Sequence, residues 1–524
     1  MAHVDGPGSG SVASLLRWRA AESPDFGFLY VEDEGPWTFA HVAAHAVEIA
    51  DALARAGVTH GSRVLVILGN EERFVSAINA VWMLGGVVVP VHPATPAGVL
   101  TEIVTSQRAD AIAAPVDFLA DGLAIPIVPV ETASWSEPAD RERSARFVSP
   151  ADVDDADTAL VLLTSGSTGA PKGVRLTHGS AWANLRSTVS AFRSNTAPSL
   201  VLDASKPPNL LANPVSHTAG IVRILFALYV GRGLVFVRKF QAPLVKRLLD
   251  RHRIDNLTIN PAMIRMLVDG LEPGEGLGKV RYVSSGTAPL APATREEFES
   301  RFGVPVLQAY GQTEAFGGVA IESVRDVLSG NRRPGSVGKP LPGVQIRLDD
   351  NGSDVGVGDE GEIWVKTRSA MSGYEGGNGE SPVDAAGWLH SGDIGRFDED
   401  GYLYITGRIK NIIICGGFNI VPEEVESALI RNPEVHDAVV VPIPDQRLGE
   451  LPVALVESTQ SAETVGEEVS SLVASYKRPR FIFVVDALPR VANGKLDRPA
   501  AARLAAELSV ASPAGASPTG GPVK

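Results

Sequence analysis

The sequence predicts an α/β fold divided between a large N-terminal unit and a small C-terminal unit. Three observations lead to this prediction. The 524 residues are too many for one ordinary hydrophobic core. Strand-like and helix-like segments alternate from about residue 60 to 310, which indicates parallel sheets covered by helices. Beyond residue 335, short strands alternate with Gly- and Asp-rich turns, which indicates antiparallel structure.

The strands of the alternating region are continuous apolar runs, which fits burial on both faces of a parallel sheet. The predicted strands there are SRVLVILG, GVVVPVH, TALVLLT, LTIN and VRYVSSG. The predicted helices are EERFVSAINAVWML, PAMIRMLVDG and APATREEFESRF. The later region adds the strands VQIRLDD, GEIWVKT and GYLYITG.

A small unit is predicted to begin after GRIKN, so we place the boundary near residue 408. It opens with strand NIIIC and helix PEEVESALIR, whose Pro422 suits a first helical turn. Strands around 435–441 and 451–457 and the strand FIFVVDALP follow. The final ASPAGASPTGGPVK has a composition typical of disorder. The predicted organisation is therefore 12–408 and 409–505, with 1–11 and 506–524 disordered.

Composition narrows the class of protein. Hydrophobic residues make up 44% and charged residues 21%, as in ordinary globular enzymes. The formal net charge of -14 argues against nucleic acid or an anionic membrane as the main partner, although a few cations in a cleft would still hold an anionic substrate. Cys415 is the only cysteine, so no intrachain disulfide is possible, and the polar N-terminus makes the cytoplasm the expected location.

Two apolar stretches, 77–91 and 219–237, could suggest membrane spans. Glycines and a proline interrupt the first, and two arginines interrupt the second, so neither supplies the roughly 20 apolar residues that a spanning helix needs. Each is expected to form a core helix followed by a strand.

The segment LVLLTSGSTGAPKGVRLTH, residues 160–178, is predicted to bind phosphate. A buried strand leads into a loop of Thr, Ser and Gly, then Lys172, then a stretch that we expect to be helical. Small residues let backbone N–H groups converge on phosphate oxygens, and a lysine adds positive charge. The spacing does not fit the Walker loop. The alternative is a flexible Gly/Ser surface loop, which the Pro-Lys-Gly ending after a buried strand disfavours.

With this loop, the sequence resembles the adenylate-forming superfamily, which includes acyl-CoA synthetases, firefly luciferase and nonribosomal adenylation domains. TSGSTGAPKG at 164–173 resembles its phosphate loop. The motifs SSGTAPL, YGQTE, GWLHSGDIG, GRIKNIIICGGFNIVPEEVE and PRVANGKLDR follow in the expected order. The resemblance covers nearly all of 12–505 and is greatest to acyl-CoA synthetases. It implies a distorted antiparallel β-barrel beside two parallel subdomains, and a mobile α+β C-terminal unit that acts as a lid.

The resemblance also implies a place for each matching residue around ATP. The residues expected to hold the β- and γ-phosphates are Thr164, Ser165, Gly166, Ser167, Thr168, Gly169 and Lys172. Those expected around adenine, ribose and α-phosphate are Gly286, Thr287, Ala288, Tyr310, Gly311, Gln312, Thr313, Asp393 and Arg408. Tyr310 would stack on adenine, Asp393 would accept hydrogen bonds from the ribose hydroxyls, and Glu314 would help to bind Mg²⁺. Thr287 stands where Gly or Ala is frequent.

The expected activity is ATP-dependent activation of a small carboxylic acid as an acyl-adenylate, followed by transfer to coenzyme A. Because the acid and ATP repel each other, catalysis depends on positioning and charge neutralisation. Lys495 would neutralise both anions, and Lys410 lies at the position of the family's hinge. Gly416 and Gly417 would leave room for a pantetheine arm.

His217, in NPVSHTAG, is expected beside the acyl pocket. Relatives that activate amino acids place an Asp directly after the corresponding aromatic residue, so Thr218 and Ala219 disfavour an α-amino acid. Aryl, medium-chain and branched acids all stay open, as does an unusual oxyanion. Loading of a carrier-protein phosphopantetheine, or of another acceptor such as an amine, is the main alternative to coenzyme A. Monomers and homodimers both fit.

Taken singly, each residue has a simpler interpretation. Tyr310 could be a core aromatic, Asp393 a turn residue, Glu314 a helix N-terminal acid, Lys495 a solvated surface charge and His217 a core or capping histidine. A luciferase-type oxygenase and a catalytically silent nucleotide-binding scaffold are further alternatives. The scaffold would be favoured by loss of the lysines or acids of the motifs, all of which are present.

Overall fold

The protein is represented by a computed structural model that describes residues 10–118, 123–147, 153–164, 172–192, 206–350, 352–375, 381–415, 418–445, 447–491 and 494–511. Its α-helices, in chain order, are α1 (Leu15–Glu22), α2 (Phe39–Arg55), α3 (Glu72–Met83), α4 (Ala97–Ser106), α5 (Arg141–Ala145), α6 (His178–Phe192), α7 (Thr218–Val230), α8 (Ala242–His252), α9 (Pro261–Gly270), α10 (Pro292–Phe302), α11 (Val324–Leu328), α12 (Pro422–Leu429), α13 (Ala462–Leu472) and α14 (Arg498–Ala511). Short 3-10 helices cover Val12–Ser14, Thr313–Ala315, Ile409–Asn411 and Ser475–Lys477.

The strands, in chain order, are β1 (Gly27–Val31), β2 (Glu34–Thr38), β3 (Arg63–Val66), β4 (Val87–Pro90), β5 (Ala111–Pro115), β6 (Ile127–Val130), β7 (Thr158–Thr164), β8 (Lys172–Thr177), β9 (Asn209–Leu211), β10 (Leu234–Phe236), β11 (Asn256–Ile259), β12 (Tyr282–Ser285), β13 (Val306–Gln312), β14 (Gly317–Ile321), β15 (Lys339–Pro340), β16 (Gln345–Asp350), β17 (Ser353–Asp354), β18 (Gly361–Lys366), β19 (Gly373–Glu375), β20 (Leu389–Phe397), β21 (Leu403–Arg408), β22 (Ile413–Cys415), β23 (Phe418–Ile420), β24 (Val435–Asp445), β25 (Gly449–Ser458) and β26 (Phe481–Val484).

The large unit contains two parallel α/β layers, as the sequence predicts. One is a seven-stranded sheet of order β19-β8-β7-β4-β3-β5-β6, in which β7, β4, β3, β5 and β6 run parallel. In the other region, β1, β10 and β9 form one parallel set and β11, β12 and β13 form a second. The apolar stretches 77–91 and 219–237 form helix followed by strand, as expected.

The segment after the phosphate loop was expected to be helical, and this prediction is wrong. Residues Lys172–Thr177 form β8, which pairs antiparallel with β7, and helix α6 begins only at His178. Val174 and Leu176 are buried while Arg175 and Thr177 are half-buried, which is the two-residue alternation of a strand. The loop therefore connects two paired strands.

The antiparallel part of the large unit is a five-stranded sheet of order β17-β16-β18-β20-β21. Along the described residues its edge strands do not pair with each other, and its closure into a distorted barrel stays a prediction. Its last hairpin, β20 with β21, reaches the carboxyl end of β13, where the nucleotide motifs lie.

The small unit is a sheet of order β23-β22-β25-β24, to which β26 adds parallel to β25. Helices α12 and α13 cover one face and α14 covers the other, so the sheet separates two apolar cores. Helix α14 extends to Ala511, so residues 506–511 are helical where disorder was expected. The boundary at 408 stays a prediction. None of the described helices combines the length and apolarity that crossing a bilayer requires.

Candidate active site

A tyrosine, an aspartate and an arginine form the most tightly bonded group of the site. Tyr310 Oη donates a hydrogen bond to Asp393 Oδ2 at 2.6 Å, and Arg408 Nε lies 2.5 Å from Asp393 Oδ1. Asp393 lies within β20 and is 1% exposed, so it is a buried strand residue and not a turn residue. Asp393 and Arg408 face each other in the β20–β21 register, which places both side chains on one side of the hairpin. A buried carboxylate is thus held in place beside an aromatic ring.

The loop after β12 lies next to this group. A Cβ on Gly286 would approach Ala309 O to 3.1 Å, so the loop packs closely on β13. Thr287 has a φ of 73°, in the left-handed region that a β-branched residue rarely adopts, and such a conformation costs about 1–3 kcal/mol. This geometry explains why glycine suits the position. Thr287 is exposed and Ala288 half-buried, so both are accessible from the cleft.

The YGQTE motif ends β13 in a tight turn. A Cβ on Gly311 would lie 1.9 Å from Gly317 O, so only glycine fits there. Gln312 is half-buried, and its Nε2 has no hydrogen-bond partner among the described atoms. Thr313 Oγ1 lies 2.9 Å from Thr218 Oγ1, which ties the motif to the first turn of α7.

A second group surrounds Lys172. Its ammonium lies 5.5 Å from the ring centroid of Tyr374, and Tyr374 Oη donates to Glu314 Oε1 at 3.0 Å. Tyr374 reaches this place because β19 pairs with β8. Thr164 is paired with Lys172 across β7 and β8. The pairing of β19 with β8 and the bond from Tyr374 to Glu314 thus bring a lysine, a tyrosine and a carboxylate together.

Lys495 reaches the cleft from the small unit, on a turn closed by the bonds Val491 N to Lys495 O (2.9 Å) and Gly494 N to Val491 O (2.8 Å). Gly494 has a φ of 82°, and a Cβ there would lie 2.9 Å from Ala262 Cβ in the large unit. The turn therefore rests directly on α9.

The charges of the site act on one another. Desolvation lowers the pKa of Lys495, Arg408 lowers it further, and the charges of Asp393 and Glu314 raise it. Desolvation and then Arg408 also lower the pKa of Lys410. The charges of the two acids, Asp393 and Glu314, and of the three cations, Arg408, Lys410 and Lys495, therefore interact across the two units.

Burial, followed by the nearby Lys495 charge, lowers the pKa of His217 to about 4. His217 is therefore neutral near pH 7. It occupies the N-cap position of α7 but makes no side-chain capping bond, so it is not a capping histidine. His217 is affected by the charge of Lys495 and directly precedes Thr218, which bonds to Thr313.

The structure thus brings together most of those predicted residues that it describes. The residues that fall outside the described ranges are Ser165, Gly166, Ser167, Thr168, Gly169, Gly416 and Gly417. Sequence reasoning missed Tyr374, which lies in no quoted motif, and gave Thr218 no positive role. Only the strand pairing of β19 with β8 and the contact of α7 with the 3-10 helix Thr313–Ala315 reveal them.

A magnesium ion accompanying ATP would need hard oxygen ligands. Glu314 supplies a half-buried carboxylate oriented by Tyr374. Within the described ranges, no three His, Cys, Asp or Glu residues lie close enough together to hold a metal by themselves. The residues therefore fit an ion that takes most of its ligands from phosphates and water, with Glu314 as the protein ligand.

Comparisons with known proteins point to the same chemistry. The family model of the AMP-binding enzyme matches residues 16–375, and that of the AMP-binding enzyme C-terminal domain matches residues 424–495. The 2-succinylbenzoate--CoA ligase of Bacillus cereus is 32% identical over 93% of this chain and 98% of its own length. The 4-coumarate--CoA ligase-like 9 of Oryza sativa subsp. japonica is 32% identical over 88% of this chain and 86% of its own.

Solved structures of similar proteins match this chain over nearly its whole length. The o-succinylbenzoate CoA synthetase of Bacillus subtilis, in complex with the acyl-adenylate intermediate OSB-AMP, superposes with a TM-score of 0.79 at 26% identity, over 93% of this chain and 97% of that one. ATP-bound MatB of Rhodopseudomonas palustris gives 0.81 at 26% identity, over 95% and 99%. The similarity extends through both units.

Proposed function

The chain belongs to the family of AMP-binding enzymes, and on this premise we propose that it is an acid–thiol ligase that forms AMP. A carboxylic acid reacts with ATP to give an acyl-adenylate and pyrophosphate, and the acyl group then passes to the thiol of coenzyme A. The observation that carries the proposal is the position of Lys495. It enters, from the small unit, the same electrostatic field as Asp393 and Arg408 of the large unit.

In the first half-reaction a carboxylate oxygen attacks the α-phosphorus, and the bond from that phosphorus to the pyrophosphate oxygen breaks. Both reactants are anions, so Lys495 and Lys172 lower the barrier by balancing charge that concentrates at phosphorus and on pyrophosphate. Asp393 and Tyr310 position the nucleoside, and Thr313, fixed by Thr218, lies beside the α-phosphate. Mg²⁺, when bound, supplies further neutralisation of the phosphate oxygens.

His217 would act here as a neutral group. Because its pKa is lowered to about 4, its imidazole adds no positive charge beside Lys495 at neutral pH. It can then donate or accept a hydrogen bond at the carboxyl group of the acid. Its half-buried ring also helps to exclude water from the mixed anhydride.

In the second half-reaction the sulfur attacks the acyl carbon, the bond to AMP breaks, and the thiol proton is lost to solvent or to AMP. Lys495 has no part in this step and would obstruct the approach of a long thiol. We therefore propose that the small unit rotates at Ile409–Asn411, the 3-10 turn that contains Lys410, between the half-reactions. The role expected for Gly416 and Gly417 in admitting the thiol concerns residues outside the described ranges.

Coenzyme A is the proposed acceptor because the curated relatives are named CoA ligases. A carrier-protein phosphopantetheine presents the same thiol and is the competing acceptor. A homodimer and a cytoplasmic location stay predictions from the sequence.

The test is pyrophosphate release with ATP, Mg²⁺ and a panel of aryl, straight-chain, branched and dicarboxylic acids. Products are then identified by mass spectrometry with coenzyme A and, separately, with a phosphopantetheinylated carrier protein. Acid-dependent pyrophosphate release with formation of acyl-CoA is expected. Release without any thioester, or thioester only on the carrier protein, would contradict the assignment of the acceptor. No release with any acid would contradict the proposed function itself.

A further inference from the structure

Among the residues that the structure describes, Arg223 of the large unit lies near the candidate site and forms no ion pair with any of them. Arg223, on α7, contacts the hydroxyl of Thr258 on β11 through a guanidinium nitrogen, and its Cζ lies 5.8 Å from the ring centroid of Phe226. Within the described ranges no carboxylate lies within ion-pair distance of Arg223. Arginine is rarely removed from water without an anionic partner, because a hydroxyl compensates only part of the lost hydration.

The charges around Arg223 do not neutralise it. Asp255, which directly precedes the neighbouring strand β11, is paired with Arg232 at 2.5 Å and with Arg281 at 3.1 Å. Burial lowers the pKa of Arg223 to about 10, which still leaves the guanidinium protonated at neutral pH. The surroundings of Arg223 therefore carry more positive than negative charge.

Arg223 lies on the less buried side of α7. Ala219, Val222, Arg223 and Phe226 are half-buried, whereas residues on the opposite side, such as Ile224 and Leu228, are fully buried. Side chains three and four apart share a helix face, so these four residues form one surface. It is apolar in its middle and cationic at one edge.

Two contacts connect this surface to the reaction centre. Thr218, in the first turn of α7, bonds to Thr313 of the YGQTE motif. Val222 Cγ2 would lie 3.5 Å from a Cβ on Gly317, so the missing side chain leaves space beside Val222. From His217 to Arg223 the helix rises by roughly 9 Å, at about 1.5 Å per residue. An acid activated beside His217 could therefore extend along α7 and end at Arg223.

We propose that the acid substrate carries a second anionic group, a carboxylate at the far end of its chain, which Arg223 binds. The inference rests on the proposed function and names the substrate class of that same site. One carboxylate would be activated beside Lys495 and the other would pair with Arg223. The apolar middle of the α7 surface would contact the methylene or aryl part between them.

The experiment compares matched acids: adipic, suberic and sebacic acids against hexanoic, octanoic and decanoic acids, with pyrophosphate release as the readout. The wild-type protein is expected to favour at least one dicarboxylic acid over its monocarboxylic counterpart by about 10-fold or more in kcat/KM. In Arg223→Gln, kcat/KM for that dicarboxylic acid should fall by about 10- to 100-fold, since a charged hydrogen bond is lost. The monocarboxylic acid should be used as well as before, which also shows that the variant folds.

Two control variants make the result specific. Arg223→Lys retains the charge and should keep part of the preference. Arg247→Gln, which alters an exposed arginine paired with Asp33, should leave all ratios unchanged. Equal losses for both acid types in Arg223→Gln would show a purely structural role and overturn the inference. A wild-type preference for monocarboxylic acids at every length would overturn it as well.

Failure of the proposed function can be told apart from failure of this inference. If no acid releases pyrophosphate, the ligase assignment fails. Calorimetric binding of suberate to the wild-type protein and to Arg223→Gln still decides the inference. Binding that weakens about 10-fold or more in the variant supports it, and equal or absent binding overturns it.

Discussion

The two units that meet at the cleft contribute to it in different ways. In the large unit, bonded side chains from separate elements hold one another in place: Tyr310 on β13 with Asp393 on β20, and Tyr374 on β19 with Glu314. The small unit contributes Lys495 on a short turn, which rests on the large unit at Gly494 and Ala262. A group of bonded side chains in the large unit thus faces a cation that the small unit carries.

In the proposed mechanism, this difference would separate the two half-reactions. Groups that hold the nucleotide are needed whenever ATP or the adenylate is bound, so their loss should impair both steps. A charge that only adenylation requires can be carried by a unit that moves away. The predictions below test this division, from the largest expected effect to the smallest.

The largest effect is expected for Lys495→Ala. Removing the cation that faces both anions should slow adenylation by about 10²- to 10³-fold, as loss of one transition-state stabilising group does elsewhere. Thioester formation from a supplied acyl-adenylate should change by less than about threefold, because Lys495 stabilises only the transition state of adenylation. Pyrophosphate release and acyl-CoA formation measure the two steps, and equal losses in both would show that Lys495 serves the whole reaction.

Asp393→Asn is expected to impair both steps, by about 10- to 100-fold each. The amide is nearly isosteric but removes the charge that pairs with Arg408 and that would accept from the ribose. Asp400→Asn, an exposed position in the same hairpin, should have no effect. The same two assays apply. A loss confined to adenylation would break the distinction between the units.

Ala262→Leu should reproduce a milder form of the lysine variant without changing any charged group. The larger side chain would overlap the turn at Gly494, displace Lys495 and slow adenylation by about 10-fold, whereas thioester formation should be spared. Met266→Leu, at an exposed position of the same helix, is the matched control. If Ala262→Leu left adenylation unchanged, contact at α9 would not be needed to place the lysine.

The smallest effect is expected for Thr287→Gly. Relief of the left-handed backbone conformation should raise the free energy of unfolding by about 1 kcal/mol after the entropy cost of glycine. Both half-reactions should stay within about threefold of wild type. Thr287→Ser keeps a Cβ and should gain less. Thermal or denaturant unfolding measures the difference, and a loss of stability would show that the hydroxyl or methyl group stabilises the loop.

Much of the fold could be predicted from the sequence because its strands are apolar runs bounded by turn residues. The nucleotide motifs could be ordered along the chain because they resemble those of the adenylate-forming superfamily. The prediction failed at Lys172–Thr177, where a strand with only three buried positions was expected to be helical. Its pairing with β7 depends on chain that precedes the loop, so a local pattern did not reveal it.

The contacts that complete the site were harder to predict. Tyr374 and Glu314 are 60 residues apart, and only the addition of β19 to a sheet edge brings them together. In the sequence, Arg223 is one of the two arginines that interrupt the apolar stretch 219–237. Its significance depends on which carboxylates lie nearby, and that depends on the packing of α7 against β11. Residue type indicated the chemistry, whereas tertiary contacts determine which groups can take part.

The short connection between the units has a consequence for the order in which products leave. Arg408 is the last residue of β21 and keeps its register with Asp393, whereas Ile413 already belongs to the sheet of the small unit. A rotation confined to the four residues between them would leave the ribose contact intact. AMP would then dissociate last, after pyrophosphate and the thioester, and would act as a product inhibitor competitive with ATP.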